Sequence, residues 1–240
     1  MTIDIDLVTT VAGTSPGLRA VIAFPEGEGP WPAVVLLHEA WGVDEEMRKQ
    51  VAKVASLGYL AVMPDLFSAG GFRRCITATM RAMSSGRGVA YADIEAAREF
   101  AATHAQSTGV VGVLGFCMGG GFALMTANTG FSAASVNYGM LPADLAQTVE
   151  DSCPVVASYG AKDVTLRGAA AKLEEAYTAA GVIHDVKEYP NAGHVFLNDE
   201  LNGPKFLGPL VRVLGFGPDH EAAADAWTRI DAFFAEHLKD

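Results

Sequence analysis

Three residues in the chain have the types and order needed for nucleophilic catalysis. Cys117 stands in "GVLGFCMGGGFALM" (112–125), with Gly115 two residues before it and Gly119 two after. Asp163 closes "PVVASYGAKD", and His194 closes "VKEYPNAGH". Gly-x-Cys-x-Gly between an apolar run and a helical pattern copies the sharp strand-to-helix turn that more often displays a serine. Such a turn needs small neighbours, and Gly115, Gly119, Gly120 and Gly121 supply them. It lifts the side chain above the sheet edge, where the amides of the following helix favour a thiolate and a developing oxyanion. A histidine then acts as base and an acid orients it, in the chain order nucleophile, acid, histidine. The competing reading is a buried structural cysteine.

These residues must be held by the elements around them. "IDLVTTV" and "LRAVIAFP", on either side of "AGTSPG", read as an antiparallel hairpin. "PAVVLLHE" (Pro32 to Glu39) is a short apolar run of the kind found in central parallel strands. Asp44 caps a helical pattern through Leu57, and Gly58 stops it. "YLAVMPD" is the next strand, and the glycine-bearing stretch 66–88 reads as an irregular loop. "VAYADIEAAREFAATHA" is an amphipathic helix, followed by the strand "VVGVLG", the cysteine turn and a helix over 118–128. Strands follow at "SAASVNYG", "PVVASYG" and "IHDVKEYP", with the helix "GAAAKLEEAYTAAG" between the last two. "NGPKFLGPLVRVLGFGPD" reads as a surface excursion or flap before the amphipathic helix "EAAADAWTRIDAFFAEHLK". Alternating strands and helices mean an α/β fold with a mostly parallel sheet, and no linker divides residues 1–240, so one domain is expected. Asp163 and His194 fall on loops at the carboxyl ends of strands, where sites in such sheets lie.

Composition narrows the partners. The chain carries 28 Asp and Glu against 17 Lys and Arg, a formal net charge of −11. With no basic run, nucleic acid is not an expected partner. Cys75, Cys117 and Cys153 form no CxxC pair and no zinc spacing, so neither a disulfide framework nor a metal is expected. The first residues, "MTIDIDLVTT", lack a basic n-region, which argues against a signal peptide and for the cytoplasm. The stretch from Phe100 to Ala143 has no Asp, Glu, Lys or Arg. Its glycines, asparagines and hydroxyl residues interrupt any membrane span, and a strand and helix buried in the core explain the missing charge better.

The motifs "LLHEAWG", "GYLAVMPDLF", "DIEAAREF", "GFCMGG", "SYGAKD" and "YPNAGHVF" together resemble the dienelactone hydrolase family of α/β-hydrolases, over nearly the whole chain. The resemblance implies an α/β-hydrolase fold and a cofactor-free hydrolase of small activated esters or lactones. In it Cys117 is the nucleophile, His194 the base and Asp163 its orienter. It also implies that Glu39 holds the resting thiol until substrate arrives; a buried acid paired with a nearby arginine is the other reading of Glu39. The backbone N–H groups of Met118 and Ala40 are the expected oxyanion hole. His38 reads as a structural hydrogen-bonder, and Trp41 and Tyr138 as pocket walls or core. Relatives acting on dienelactone use arginines for its carboxylate, one of them four residues after the histidine. Here that position is Asn198, which has no charge and no guanidinium fork. Arg81 or Arg87 is the candidate for the other clamp. Two further readings stay open: a small-molecule-binding homologue without catalysis, and a redox-responsive thiol.

Overall fold

Apolar residues alternate between two faces along the central strands, which fixes which elements cover each face. In β3 (Trp31–Leu37), Ala33, Val35 and Leu37 join one core, and Val34 and Leu36 the other. In β5 (Ser107–Phe116), Val111 and Val113 face the first core, and Leu114 and Phe116 the second. The computed structural model describes residues 1–202 and 215–239, and the excursion expected over 202–219 therefore lies largely outside the described residues.

The remaining strands are β1 (Ile3–Asp6), β2 (Arg19–Ala23), β4 (Leu60–Pro64), β6 (Ala134–Asn137), β7 (Val155–Gly160) and β8 (His184–Tyr189). They form one eight-stranded sheet in the order β1-β2-β4-β3-β5-β6-β7-β8. β3 to β8 pair in parallel, and β1 and β2 join antiparallel at one edge. One face is covered by α2 (Phe72–Ser85), α3 (Val89–Thr103), α4 (Met118–Thr126) and α6 (Ala169–Ala180). The other is covered by α1 (Glu45–Ser56) and by the last helix, α7 (His220–Leu238). The short helix α5 (Leu145–Val149), capped by Asp144, was not expected from the sequence.

Two expectations are corrected. The first strand ends at Asp6 rather than running to Val11. Leu7 still donates to the Leu18 carbonyl at 2.7 Å, but Pro16 has no N–H and Gly17 turns at φ +62°, so no partner strand extends further. Residues 66–88 are not an irregular loop, because Phe72–Ser85 is helical. The glycines flank that helix instead of breaking it. Gly71 is its N-cap, and Gly86 closes it in the left-handed conformation at φ +68°.

β5 and α4 are largely buried, as expected for the uncharged stretch, and no helix among the described residues is long and apolar enough to cross a membrane.

Candidate active site

Cys117 sits between the end of β5 and the first turn of α4, with φ +54° and ψ −113°. This is a strained region for a residue with a Cβ, costing about 1–3 kcal/mol, and it holds because its surroundings leave no alternative. The Cys117 amide donates to the Asn137 carbonyl and the Gly121 amide donates to the Cys117 carbonyl, each at 3.1 Å. Asn137 also donates its side-chain amide to the Gly115 carbonyl at 3.2 Å. A Cβ on Gly115 would collide with the Gly119 carbonyl, and one on Gly119 with the Leu37 carbonyl. The glycines of the motif thus let α4 start directly against β3.

The loops after β7 and β8 bring two more side chains to the thiol. His194 Nε2 lies 3.1 Å from Cys117 Sγ, and its Nδ1 lies 2.5 Å from Asp163 Oδ2. Thr165 fixes the acid, donating to Asp163 Oδ1 from its backbone at 2.9 Å and from its hydroxyl at 2.6 Å. His194 is itself fastened, donating its amide to Gly215 and accepting from the Gly217 amide, with the Phe216 ring centred 4.5 Å from the imidazole. Histidine and acid are both buried. Burial alone would push the His194 pKa down, but the Cys117 charge and the Asp163 hydrogen bond outweigh it and raise it to about 10. Burial likewise works against the Asp163 carboxylate, yet the His194 and Thr165 bonds leave its pKa below the usual range. The arrangement can therefore hold a proton on the imidazole, between Asp163 and the sulfur.

Glu39, two residues beyond β3, is buried, and the structure gives it partners the sequence reading did not. Its Oε1 accepts from the Tyr138 hydroxyl at 3.3 Å and from Asn198 Nδ2 at 3.2 Å. Its Oε2 accepts from the same Asn198 amide at 3.2 Å and from Asn202 Nδ2 at 2.6 Å. The thiol is bonded to His194, so the expected Glu39–Cys117 contact is not the state seen here. No arginine pairs with Glu39 among the described residues either. Burial pushes its pKa up to about 7 against the opposing pull of Asn202, His194 and Asn198.

A model of the dienelactone hydrolase family matches residues 18–238. The chain belongs to the dienelactone hydrolase family. Membership makes it a hydrolase of the carboxylic ester and lactone class. A carboxymethylenebutenolidase of Pseudomonas putida is 29% identical over 197 residues, covering 77% of this chain and 82% of that protein. A dienelactone hydrolase-like promiscuous phosphotriesterase from metagenomic libraries superposes with a TM-score of 0.79 at 22% identity, covering 99% of each chain. The acylaminoacyl peptidase of Pyrococcus horikoshii superposes at 0.74 with 14% identity, over 100% of this chain and 42% of that one. These likenesses place the sheet and its helices in the α/β-hydrolase architecture.

The other expected site residues divide in this dienelactone hydrolase family member. Among the described residues, the Ala40 and Met118 amides have no hydrogen-bond partner, and Met118 opens α4 next to Cys117. His38 is a structural bonder: its Nδ1 faces the Glu39 carbonyl at 2.7 Å and its Nε2 accepts from the Leu66 amide at 3.1 Å. Tyr138 is fully buried and belongs to the Glu39 network, with its ring 5.2 Å from the His194 ring. Trp41 is half-exposed and packs on Phe72, ring centres 5.4 Å apart. Asn198 is buried, and its amide nitrogen is committed to Glu39. Arg81 and Arg87 are not brought to this cluster; both line a separate cleft beside α2. Asn202, Thr165, Phe72 and Phe216 were missed in the sequence. Only Thr165 had a local signal, a hydroxyl two residues after an aspartate.

Proposed function

We propose that the protein hydrolyses activated esters or lactones through a Cys117 thioester, within one domain. The observation that carries this reading is the hydrogen-bonded series Asp163–His194–Cys117, at 2.5 Å and 3.1 Å. Cys117 Sγ attacks the carbonyl carbon while His194 holds the thiol proton at Nε2. The carbonyl oxygen takes up the charge and accepts from the Ala40 and Met118 amides. Collapse of the tetrahedral adduct breaks the bond to the alkoxide or enolate, which takes the proton from His194. Water then attacks the thioester, gives its proton to His194, and the carboxylic acid leaves as the thiol re-forms.

A thiolate leaves such an adduct more readily than an ordinary alkoxide, so simple alkyl esters would revert to substrate. Enol esters and lactones with a good leaving group partition forward. Asn198, with its amide held by Glu39, offers a substrate carboxylate no cation, which favours neutral substrates. The test is turnover of an activated aryl ester by Cys117→Ala, which should fall at least about a thousandfold. Full activity in that variant would refute the reading. Comparing kcat/KM for neutral and carboxylated lactones tests the substrate class, with no preference expected for the carboxylate.

A further inference from the structure

Arg81 and Arg87, having no place in the Cys117 cluster, lie together elsewhere. A cleft of about 630 Å³ opens between α2, the entry to α3 and the Ser15 loop, and Arg74, Arg81 and Arg87 all line it. Arg74, Ala78 and Arg81 follow one another at helical spacing along one face of α2, so the backbones of the two arginines stand about 10 Å apart along the axis. Arg87 comes in from the turn after Gly86. Leu66, Ala78 and Val89 give the cleft an apolar wall, and Val89 is one of the few large hydrophobic side chains left exposed.

Carboxylates outnumber cations in this chain, 28 to 17. Yet among the described residues none of these three arginines has a carboxylate partner, whereas Arg19, Arg48, Arg98 and Arg229 each have one. Three arginines without carboxylate partners among the described residues, lining a cleft with an apolar wall, match a molecule with a charged head and a hydrocarbon body. Cys117, Asp163, His194 and Glu39 do not line the cleft.

We propose that this cleft binds an organic monocarboxylate with an apolar body, held at its head by Arg74, Arg81 and Arg87. That is the chemical class of acid an ester hydrolase releases, so the site would sense product without occupying the thiol's own pocket. The proposal does not depend on the role given to Cys117.

Cys75 lines the same cleft and reports on its occupancy. In Cys117→Ser protein, alkylation of Cys75 by N-ethylmaleimide is followed by mass spectrometry of its peptide, with octanoate, octan-1-ol or inorganic phosphate present. Octanoate should slow labelling about fivefold or more, which corresponds to mostly filled sites, while the alcohol and phosphate should not. The triple variant Arg74→Gln, Arg81→Gln, Arg87→Gln, altered only on the surface, should lose the protection. Absence of protection by octanoate, equal protection by octanol or phosphate, or protection surviving in the triple variant would each overturn the proposal. If Cys75 does not react in the free protein, octanoate is titrated calorimetrically into the same two proteins. Binding to the first and not to the triple variant supports the site, and no binding, or equal binding to both, overturns it.

Discussion

Glu39 shows how far a side chain's surroundings can set its chemistry. Its pKa is raised from an ordinary carboxylate value to about 7 by burial. The folded protein therefore binds a proton there more tightly than the unfolded chain does. The stabilisation is fully present below the unfolded pKa near 4.5 and is lost as pH rises through about 7. Glu39→Gln cannot ionise, so its unfolding free energy relative to the parent should be higher at pH 8 than at pH 5. The difference should be at most roughly 3 kcal/mol, and thermal melts at the two pH values measure it. An unchanged difference would mean that Glu39 does not titrate in this range. Asp163→Asn should lower kcat/KM by about a hundredfold or more while leaving the fold intact, because the amide no longer sustains the imidazolium. Stopped-flow iodoacetamide labelling of Cys117 should slow in parallel. The three residue types around the thiol were readable because each follows a strand end with its own turn chemistry. The donors to Glu39 were not. Asn198 and Asn202 come from 159 and 163 residues away, and an asparagine's partner across that distance leaves no local pattern.

At the level of elements, the turn around Cys117 is the least tolerant part of the molecule. Gly119→Ala would press a methyl group into the Leu37 carbonyl, where backbone rather than a yielding side chain stands. We expect a loss of about 3 kcal/mol or more, seen as a drop in denaturant midpoint, with overpacking as the cause. Asp44→Ala should cost less, about 1 kcal/mol, because it removes only the cap on the Met47 amide at 3.0 Å. The same physics explains which elements were legible. The continuous apolar runs of β3 and β4, and the β-branched run within β5, read readily as buried strands. α2 was hidden because β-branched Ile76, Thr77 and Thr79 lower its helix propensity and four nearby glycines read as loop. Those glycines set the helix ends, a distinction that depends on where the helix packs. The short first strand failed for a related reason: Val8 to Val11 are all β-branched and read as strand, but their would-be partner has already turned at Pro16 and Gly17.

Across the whole molecule, the sheet runs from half-exposed edges to a fully covered centre. β4 and β7 are buried throughout, while β8 at one edge and β1 at the other are largely accessible. Hydrogen exchange should therefore be slowest in β3 to β7 and markedly faster in β1 and β8, by mass spectrometry of peptides spanning each strand. Equal protection in β1 and β5 would contradict this gradient. The contact between thiol and imidazole spans 77 positions of the chain. On a ribosome adding about 5–20 residues per second, the cysteine is made roughly 4–15 s before the histidine exists. Throughout that interval it is an ordinary thiol in an incomplete sheet, without the base that sits beside it in the finished protein. Whatever reactivity this contact gives the sulfur, the newborn chain lacks it, and it begins only once the loop carrying His194 has been made and has docked.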